Sequence, residues 1–276
     1  MNIAFKIPPE ADNYSDMHML AEVGHNEISF LIFRKAPLSP LGFYMYSLDK
    51  QISGTEYAEA LENAIRKEHV LHQQFASCTV FCNYNESVLV PAAYYNETEK
   101  DNYCDLLFGR DKTSGCFMEE IKGADIKNVF RIPGKVHQII NTFFPSHTFL
   151  HSTSVQVETA GSYGDVMKCI VYHNSIKLLM FKQSKLQIVQ YFEYEGPTDV
   201  CYHMLNICER FGVSPSVVQV LLSGMIEESS NLYREIYNYF MNVSFVSLPA
   251  DTMLSDKLNE HPHQFYAHLT ALAACV

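Results

Sequence analysis

The order of strands and helices after residue 165 restricts the folds of this chain more than any other feature. Residues 166–194 are rich in β-branched and aromatic side chains, and two polar turns, His173-Asn174 and Gln183-Ser184, divide them into three segments. This pattern predicts a three-stranded antiparallel meander, and the asparagine of the first turn tolerates the left-handed backbone that a tight hairpin demands. Gly196-Pro197 then ends the sheet and begins a helix, because proline suits the first helical turn.

Helices and strands alternate after the meander. Apolar residues recur at helical spacing over residues 200–211, and Gly212 closes that helix. Residues 217–222 are continuously apolar, as a strand covered on both faces requires. A second amphipathic helix, a further strand and a closing helix are predicted at residues 232–240, 244–248 and 264–274. Hairpins followed by alternating helix and strand predict a mixed sheet with helices on both faces.

The first half repeats this order less regularly. Strands are predicted at residues 17–23, 27–35, 43–48, 77–83, 129–132 and 148–150, and helices at 135–143 and 154–160. Ser53-Gly54-Thr55-Glu56 is a capping box that opens a further helix. Residues 88–127 have no clear period and predict an irregular insert of a short helix and loops. With Gly161-Ser162-Tyr163-Gly164 as the hinge, we predict two domains, residues 1–161 and 165–276.

Composition and charge indicate the cellular compartment of the protein and exclude some classes of partner. With 276 residues, 47% of them hydrophobic and 18% charged, the chain suits two globular domains. A net charge of −11 repels phosphate backbones, so we expect no nucleic-acid partner. We also expect no signal peptide and no integral membrane segment, because no cationic start and no apolar run near ~20 residues occurs. Eight cysteines without a Cys-x-x-Cys pair favour reduced thiols over disulfides or zinc, and hence a cytoplasmic protein.

Two stretches carry a family resemblance. Residues 220–224, Val-Leu-Leu-Ser-Gly, are followed by Ser229, Ser230 and Leu232, and residues 129–158 predict strand, proline-led helix, strand and helix. In these stretches and in element order, the chain resembles the actin-like ATPase superfamily. It is most similar to a family of uncharacterised bacterial proteins with this fold and to the actin-like proteins of pilus assembly and type II secretion. The resemblance implies an α/β fold of two ribonuclease H-like (βββαβαβα) halves.

The resemblance also implies where a nucleotide would lie. In the superfamily a strand ends in Ser-Gly-Gly so that adenosine lies on bare backbone, and two hairpins rich in aspartate and glycine hold the phosphates. The corresponding turns here are Glu22-Val23-Gly24-His25-Asn26 and Tyr172-His173-Asn174-Ser175, and the second adenosine glycine is Met225. The implied vestigial cleft would be lined by Gly24, His25, Asn26, His173, Asn174, Ser223, Gly224 and Met225.

The loss of these aspartates and glycines argues against catalysis. Aspartates organise Mg²⁺ and water, and glycines let backbone N–H groups approach phosphates. We therefore expect no catalytic residues and no ATP hydrolysis by the superfamily mechanism. The remaining residues also have ordinary structural interpretations. Gly224 would suit a strand-to-helix turn that needs a positive φ, and His25 and His173 are common in hairpin turns as well as around phosphates.

Two other clusters carry weak functional signals. A metal ion could in principle be bound by a cluster of four residues, His261, His263, His268 and Glu260. However, Pro262 and the spacing of the histidines do not place two ligands on one helical face, so no metal site is expected. Acidic residues raise the question of a ribonuclease H-like nuclease, which needs a carboxylate in the middle of its first strand. The second half has a lysine there, so nuclease activity is not expected. The carboxylates concerned are Glu22, Glu119, Glu120, Asp125 and Asp165.

The insert is the predicted partner surface. Its tyrosines either form an exposed aromatic binding face or lie at the edge of the core; they are Tyr84, Tyr94, Tyr95 and Tyr103. The leading hypothesis is a catalytically degenerate actin-like protein that acts as a cytoplasmic protein-binding or scaffold module without a cofactor. The alternative is a diverged ATPase or small-molecule kinase that binds ATP with Mg²⁺, and a third hypothesis is a nucleotide sensor that does not hydrolyse its ligand.

Overall fold

A computed structural model describes residues 1–11, 13–48, 54–159 and 164–276. The chain divides into two compact units, Met1–Thr159 together with Leu272–Val276, and Ala160–Ala271. The first residue of the predicted capping box, Ser53, lies outside the described residues. So do three of the four predicted hinge residues and the predicted end of the helix at 154–160.

The first unit holds a large and a small sheet. Its elements in chain order are β1 (Asn2–Ile7), β2 (His18–Gly24), β3 (Glu27–Lys35), β4 (Leu38–Ser47), α1 (Gly54–Lys67), β5 (Ser77–Asn83), β6 (Ser87–Pro91), α2 (Lys100–Phe108), β7 (Ser114–Ile121), β8 (Ile126–Pro133), α3 (Gly134–Phe143), β9 (His147–His151) and α4 (Ser152–Glu158). The large sheet has the strand order β1-β4-β3-β2-β5-β9. Strands β2, β5 and β9 run parallel, and the other neighbours pair antiparallel.

The core of the large sheet follows from strands that are apolar on both faces. β3 buries seven consecutive residues, which is the burial expected of a central strand. On α1, Tyr57, Leu61 and Ile65 recur every four residues, and this spacing gives the helix one buried face. The structure also contains an edge strand that the sequence pattern did not indicate. This strand, β1, pairs with β4 and leaves most of its residues at least partly exposed.

The insert predicted to be irregular is an ordered small sheet, so that prediction was wrong. β6, β8 and β7 pair antiparallel in that order, and α2 packs on them through a satellite core of Val90, Cys104 and Val129. The strand predicted at residues 129–132 is the end of β8 and belongs to this sheet. The physical reason is that β7 is half-buried along most of its length, so its sequence has no clear apolar alternation.

The second unit is a mixed five-stranded sheet with helices. Its elements are β10 (Val166–Val171), β11 (Ser175–Lys182), β12 (Lys185–Glu193), α5 (Pro197–Phe211), β13 (Gln219–Gly224), α6 (Asn231–Tyr239), β14 (Asn242–Phe245), α7 (Asp256–Asn259) and α8 (Gln264–Ala273), whose last two residues fall in the first unit. The strand order is β12-β11-β10-β13-β14, with β10, β13 and β14 parallel. The predicted α/β fold class with mixed sheets is confirmed.

Helix ends and turns in this unit follow local sequence chemistry. Gly212 ends α5 in the left-handed conformation (φ 60°), and the Ser230 side chain caps α6 by accepting from the Tyr233 N–H at 3.1 Å. The left-handed backbone expected at Asn174 lies instead in the other hairpin, at Gln183 (φ 50°) and Ser184 (φ 64°). Across the described residues, the structure contains no helix with the length and apolar character needed to span a membrane.

Candidate functional site

The predicted adenosine turn lies at the carboxyl end of β13. Ser223 is buried, and Gly224 has a φ of +85°. A Cβ at Gly224 would lie 2.1 Å from the Val171 carbonyl oxygen, and that oxygen also accepts a hydrogen bond from the Met225 N–H at 2.7 Å. Close packing of β13 on β10 therefore requires this glycine whether or not a ligand binds.

The structure brings the turn after β10 to the same edge of the sheet. Val171 and Gly224 are register partners in parallel strands, so the His173-Asn174 turn follows directly from the residue opposite Gly224. The His173 side chain is exposed and that of Asn174 is half-exposed. The Tyr194 hydroxyl donates to the Tyr172 carbonyl at 3.0 Å. The second unit thus gathers all five of its predicted site residues at the carboxyl ends of parallel strands, where open α/β sheets bind ligands.

The other predicted turn, Gly24-His25-Asn26, connects β2 to β3 in the first unit. The Tyr57 hydroxyl donates to the Gly24 carbonyl at 2.6 Å, and the His25 ring lies edge-on to Tyr84 with 6.1 Å between centroids. A Cβ at Gly24 would meet its nearest atoms, both carbonyl oxygens, at 3.5 Å, which is ordinary contact. Packing therefore does not require a glycine at position 24, in contrast to Gly224.

Buried polar residues follow the parallel strands of the first unit. At the end of β5, Asn83 accepts a hydrogen bond from the Ser152 hydroxyl at 2.7 Å. At the end of β9, His151 is fully buried; its Nδ1 accepts from the Thr153 N–H at 3.1 Å, and its Nε2 lies 3.2 Å from the Tyr84 carbonyl oxygen. Because Nδ1 accepts, Nε2 carries the proton and donates, which makes His151 the neutral Nε2–H tautomer. Sequence reasoning missed these residues, although a polar residue that ends an apolar strand is a usable signal.

A polar chain ties the small sheet to α4. Glu119 on β7 accepts from the His151 N–H at 2.7 Å and hydrogen-bonds the Ser154 side chain. Ser154 in turn accepts from Asn128 at 3.0 Å, and Asn128 accepts from Ser87 at 2.7 Å. Burial raises the pKa of Glu119 to about 7, against the opposing effect of its two hydrogen-bond donors.

Members of the acidic and histidine clusters lie on different faces or are buried separately. Glu119 and Glu120 lie on opposite faces of β7, and Glu120 pairs with Lys127 at 3.2 Å. His268 is buried against the Tyr172 ring at 5.9 Å. Throughout the four described ranges, no group of three or more His, Cys, Asp or Glu residues is placed to hold a metal ion.

An open cavity of about 540 Å³ lies beyond the end of β14 in the second unit. Its lining combines His261, Pro262, His263 and Gln264 with residues 245–248. The Gln264 side chain is held by a hydrogen bond to the Ile226 carbonyl at 3.1 Å. The sequence suggested the histidines only as a metal cluster, and the structure places two of them at this cavity instead.

Three of the four tyrosines considered as a binding face are buried or half-buried, which agrees with the alternative position at the edge of the core. Tyr84 is buried, Tyr95 and Tyr103 stack at 5.8 Å and are half-buried, and only Tyr94 is fully exposed among the four. The exposed apolar residues lie instead at the end of α2, where Leu106, Leu107 and Phe108 are 84%, 62% and 41% exposed. We call these three residues the α2 surface.

Comparison with solved structures establishes the fold. A Bacteroides thetaiotaomicron protein with actin-like ATPase fold and unknown function superposes with a TM-score of 0.76 at 14% identity, covering 97% of this chain and 100% of the other. A chain of the PilM–PilN type IV pilus biogenesis complex superposes with a TM-score of 0.62 at 8% identity, covering 94% and 98%. The cytoplasmic domain of EpsL, an inner membrane component of the Vibrio cholerae type II secretion system, is more distant, with a TM-score of 0.46 at 11% identity over 85% and 91%. The protein therefore has the actin-like ATPase fold, which confirms the predicted resemblance.

Sequence comparison identifies the family. Residues 9–243 match DUF3822, a family described as protein of unknown function. The chain belongs to this DUF3822 family. Among curated proteins, none matches the sequence.

Proposed function

We propose that this protein is a catalytically degenerate actin-like protein that holds a protein partner and does not hydrolyse ATP. The residues of the two phosphate-loop turns support the absence of ATP hydrolysis. Each presents a histidine and an asparagine, His25-Asn26 and His173-Asn174, where the superfamily uses aspartate to organise Mg²⁺. Neither turn contains the aspartate that would position the metal and the attacking water, and the one carboxylate in the first turn, that of Glu22, is buried.

The α2 surface supports the second part of the proposal. Three consecutive apolar side chains at a helix end cost free energy in water unless another surface covers them. Arg110 follows them, with its side chain 88% exposed and 3.8 Å from Asp105, a carboxylate that Arg131 holds more closely. An apolar group beside an exposed guanidinium fits a partner segment that offers a large apolar residue next to a carboxylate.

The resemblance in fold adds to this argument. A structure of the pilus complex PilM–PilN contains a chain of the same fold, and that complex is an assembly of proteins. We further propose that the present protein works in the cytoplasm, where its eight free cysteines would stay reduced. Its net charge of −11 favours a protein partner over a nucleic acid.

A diverged nucleotide binder is the competing function, and one observation favours it. Gly24 is not required by packing, and it lies beside the polar strand ends described above. A bare backbone at such a turn would let a phosphate approach.

Calorimetry with Mg-ATP and Mg-ADP to about 1 mM separates the two functions. We expect no saturable heat from the unmodified protein. The nucleotide binder would be established by a saturable heat that His173→Glu removes. The control variant His263→Glu, at an exposed histidine of the same unit, should leave that heat unchanged.

Partner binding is tested by comparing two aspartate variants. Leu107 and Val217 are similarly exposed, at 62% and 65%, so Val217→Asp is a matched control for Leu107→Asp. The unmodified chain, the control and Leu107→Asp are each used to retain proteins from a bacterial extract. Proteins that the first two retain and Leu107→Asp does not are then purified and titrated directly. The proposal fails if no purified protein distinguishes the two variants.

A further inference from the structure

Two thiols of the insert meet beneath α2. Cys104 faces the small sheet and is fully buried, and its Sγ lies 3.8 Å from the Val129 carbonyl oxygen. The Cys116 Sγ on β7 lies 3.8 Å from the carbonyl oxygen of Lys100, one helical turn before Cys104. The two sulfurs are close enough that each shifts the pKa of the other.

The strand register explains this meeting. On β7, Cys116 pairs with Arg131, and Met118 pairs with Val129, the residue of β8 whose carbonyl oxygen lies near Cys104. Residues two apart on a strand share a face, so Cys116 and Met118 lie on the same face of β7. A side chain on a helix leans toward the helix N-terminus, so Cys104 on α2 points back toward the Lys100 turn. That turn is where the Cys116 sulfur lies.

The environments of the two sulfurs differ. The Cys116 hydrogen bond lowers the pKa of Cys104, the buried Arg131 guanidinium acts in the same direction, and burial opposes them. The pKa of Cys116 is raised, first by the hydrogen bond to Cys104 and then by burial. A guanidinium that acts on one sulfur of a neighbouring thiol pair favours that sulfur as the attacking thiolate, and the other sulfur can then resolve the product.

We propose that Cys104 and Cys116 are a redox-active dithiol that hydroperoxides oxidise to an intramolecular disulfide. The Cys104 thiolate attacks a peroxide oxygen and the O–O bond breaks. With H₂O₂ this gives Cys104 sulfenic acid and hydroxide, which takes up a proton to become water. The Cys116 sulfur then attacks the Cys104 sulfur, the S–S bond forms, and the leaving hydroxide takes the Cys116 proton as a second water. The two thiols lose two electrons, which reduce the peroxide.

The disulfide would bind α2 covalently to β7. α2 has nine residues and a small satellite core, so it belongs to the class of elements that open locally at low free energy. Such opening gives peroxide access to Cys104. After oxidation the helix can no longer leave the sheet, and its amide hydrogens should exchange more slowly with solvent.

The chain contains its own control pair. Cys169 and Cys201 in the second unit are both buried and close enough to interact electrostatically, and burial raises the pKa of each to about 12. They are therefore a neighbouring pair without a reactive thiolate. The exposed Cys275 reports whether the oxidant reacts with an accessible thiol.

The test is peptide mass spectrometry of the purified full chain after graded H₂O₂ and alkylation. We expect a peptide pair linked through Cys104 and Cys116, lighter by about 2 Da for the two hydrogens removed, and restored by dithiothreitol. This pair should form at doses that leave Cys169 and Cys201 alkylated. The proposal is overturned if Cys275 reacts while Cys104 and Cys116 stay alkylated, or if the control pair links at the same dose.

Two variants separate the roles of the sulfurs. In Cys116→Ser, Cys104 should accumulate as a sulfenic acid that dimedone traps. In Cys104→Ser, Cys116 should lose most of its reactivity. Equal oxidation of Cys116 with and without Cys104 would refute the assigned roles, and the unmodified chain decides the proposal even if a variant does not fold.

Discussion

Glu119 should make the stability of the first unit depend on pH, and Glu119→Gln should remove that dependence. The carboxyl joins β7 to the His151 N–H and the Ser154 side chain. Because burial raises its pKa from 4.5 to about 7, the folded state holds more protons than the unfolded state between these values. The free energy of unfolding therefore falls as the pH rises from about 4.5 to about 7.

The magnitude follows from the same shift. A difference of about 2.5 in pKa corresponds to about 3 kcal/mol at full burial. Glu119 is only half-buried, and solvent reduces the effect, so we expect about 1–2 kcal/mol. The amide of glutamine keeps an acceptor for the His151 N–H but does not titrate, so the variant should gain this amount relative to the unmodified chain between pH 4.5 and pH 8.

Urea unfolding at several pH values is the assay, followed by circular dichroism or tyrosine fluorescence because the chain has no tryptophan. Glu120→Gln is the matched control, since Glu120 is exposed on the opposite face of the same strand and pairs with Lys127. The reasoning is refuted if the difference between Glu119→Gln and the unmodified chain stays constant with pH, or if the control shows the same trend.

Three further predictions concern other positions. Gly224→Ala should destabilise the second unit by about 2–4 kcal/mol in urea unfolding, because the new Cβ meets a backbone oxygen and the φ of this residue is positive. The control variant Gly196→Ala, which has open space around the new Cβ, should change stability by less than about 1 kcal/mol. Tyr46→Phe should cost about 1–3 kcal/mol in the same assay, since it leaves the buried Glu68 without the hydroxyl that donates to it at 2.5 Å. Leu107→Asp should have a melting temperature within about 2 °C of that of the unmodified chain, because Leu107 is exposed and its substitution should change binding only.

The second unit could be predicted from sequence because its elements show their periods clearly. Leu178, Leu179 and Met180 lie in a strand buried on both faces, and the predicted α5 ends at Gly212 as observed. The conformation of individual turns was less predictable. The hairpin that carries an asparagine does not use the left-handed backbone, whereas Gln183 and Ser184 in the other hairpin do.

The first unit was harder to predict because its small sheet is only half-buried. β7 reads Ser-Gly-Cys-Phe-Met-Glu-Glu-Ile, and its burial depends on α2 and on α4, which begins 31 residues after the end of the strand. The candidate site shows the same limit. Glycines at 24 and 224 look alike in the sequence, and only the distances to neighbouring carbonyl oxygens separate the one that packing requires from the one that it does not.

The return of the chain to the first unit has a mechanical consequence. Residues 272–276 cluster with residues 1–159, so the second unit is an insertion with two covalent connections to the first. A force applied between residue 1 and residue 276 would therefore load the first unit alone, and the second unit would bear tension only after the first had opened. Removal of Leu272 and Ala273, which are buried, would likewise weaken the unit formed by the beginning of the chain.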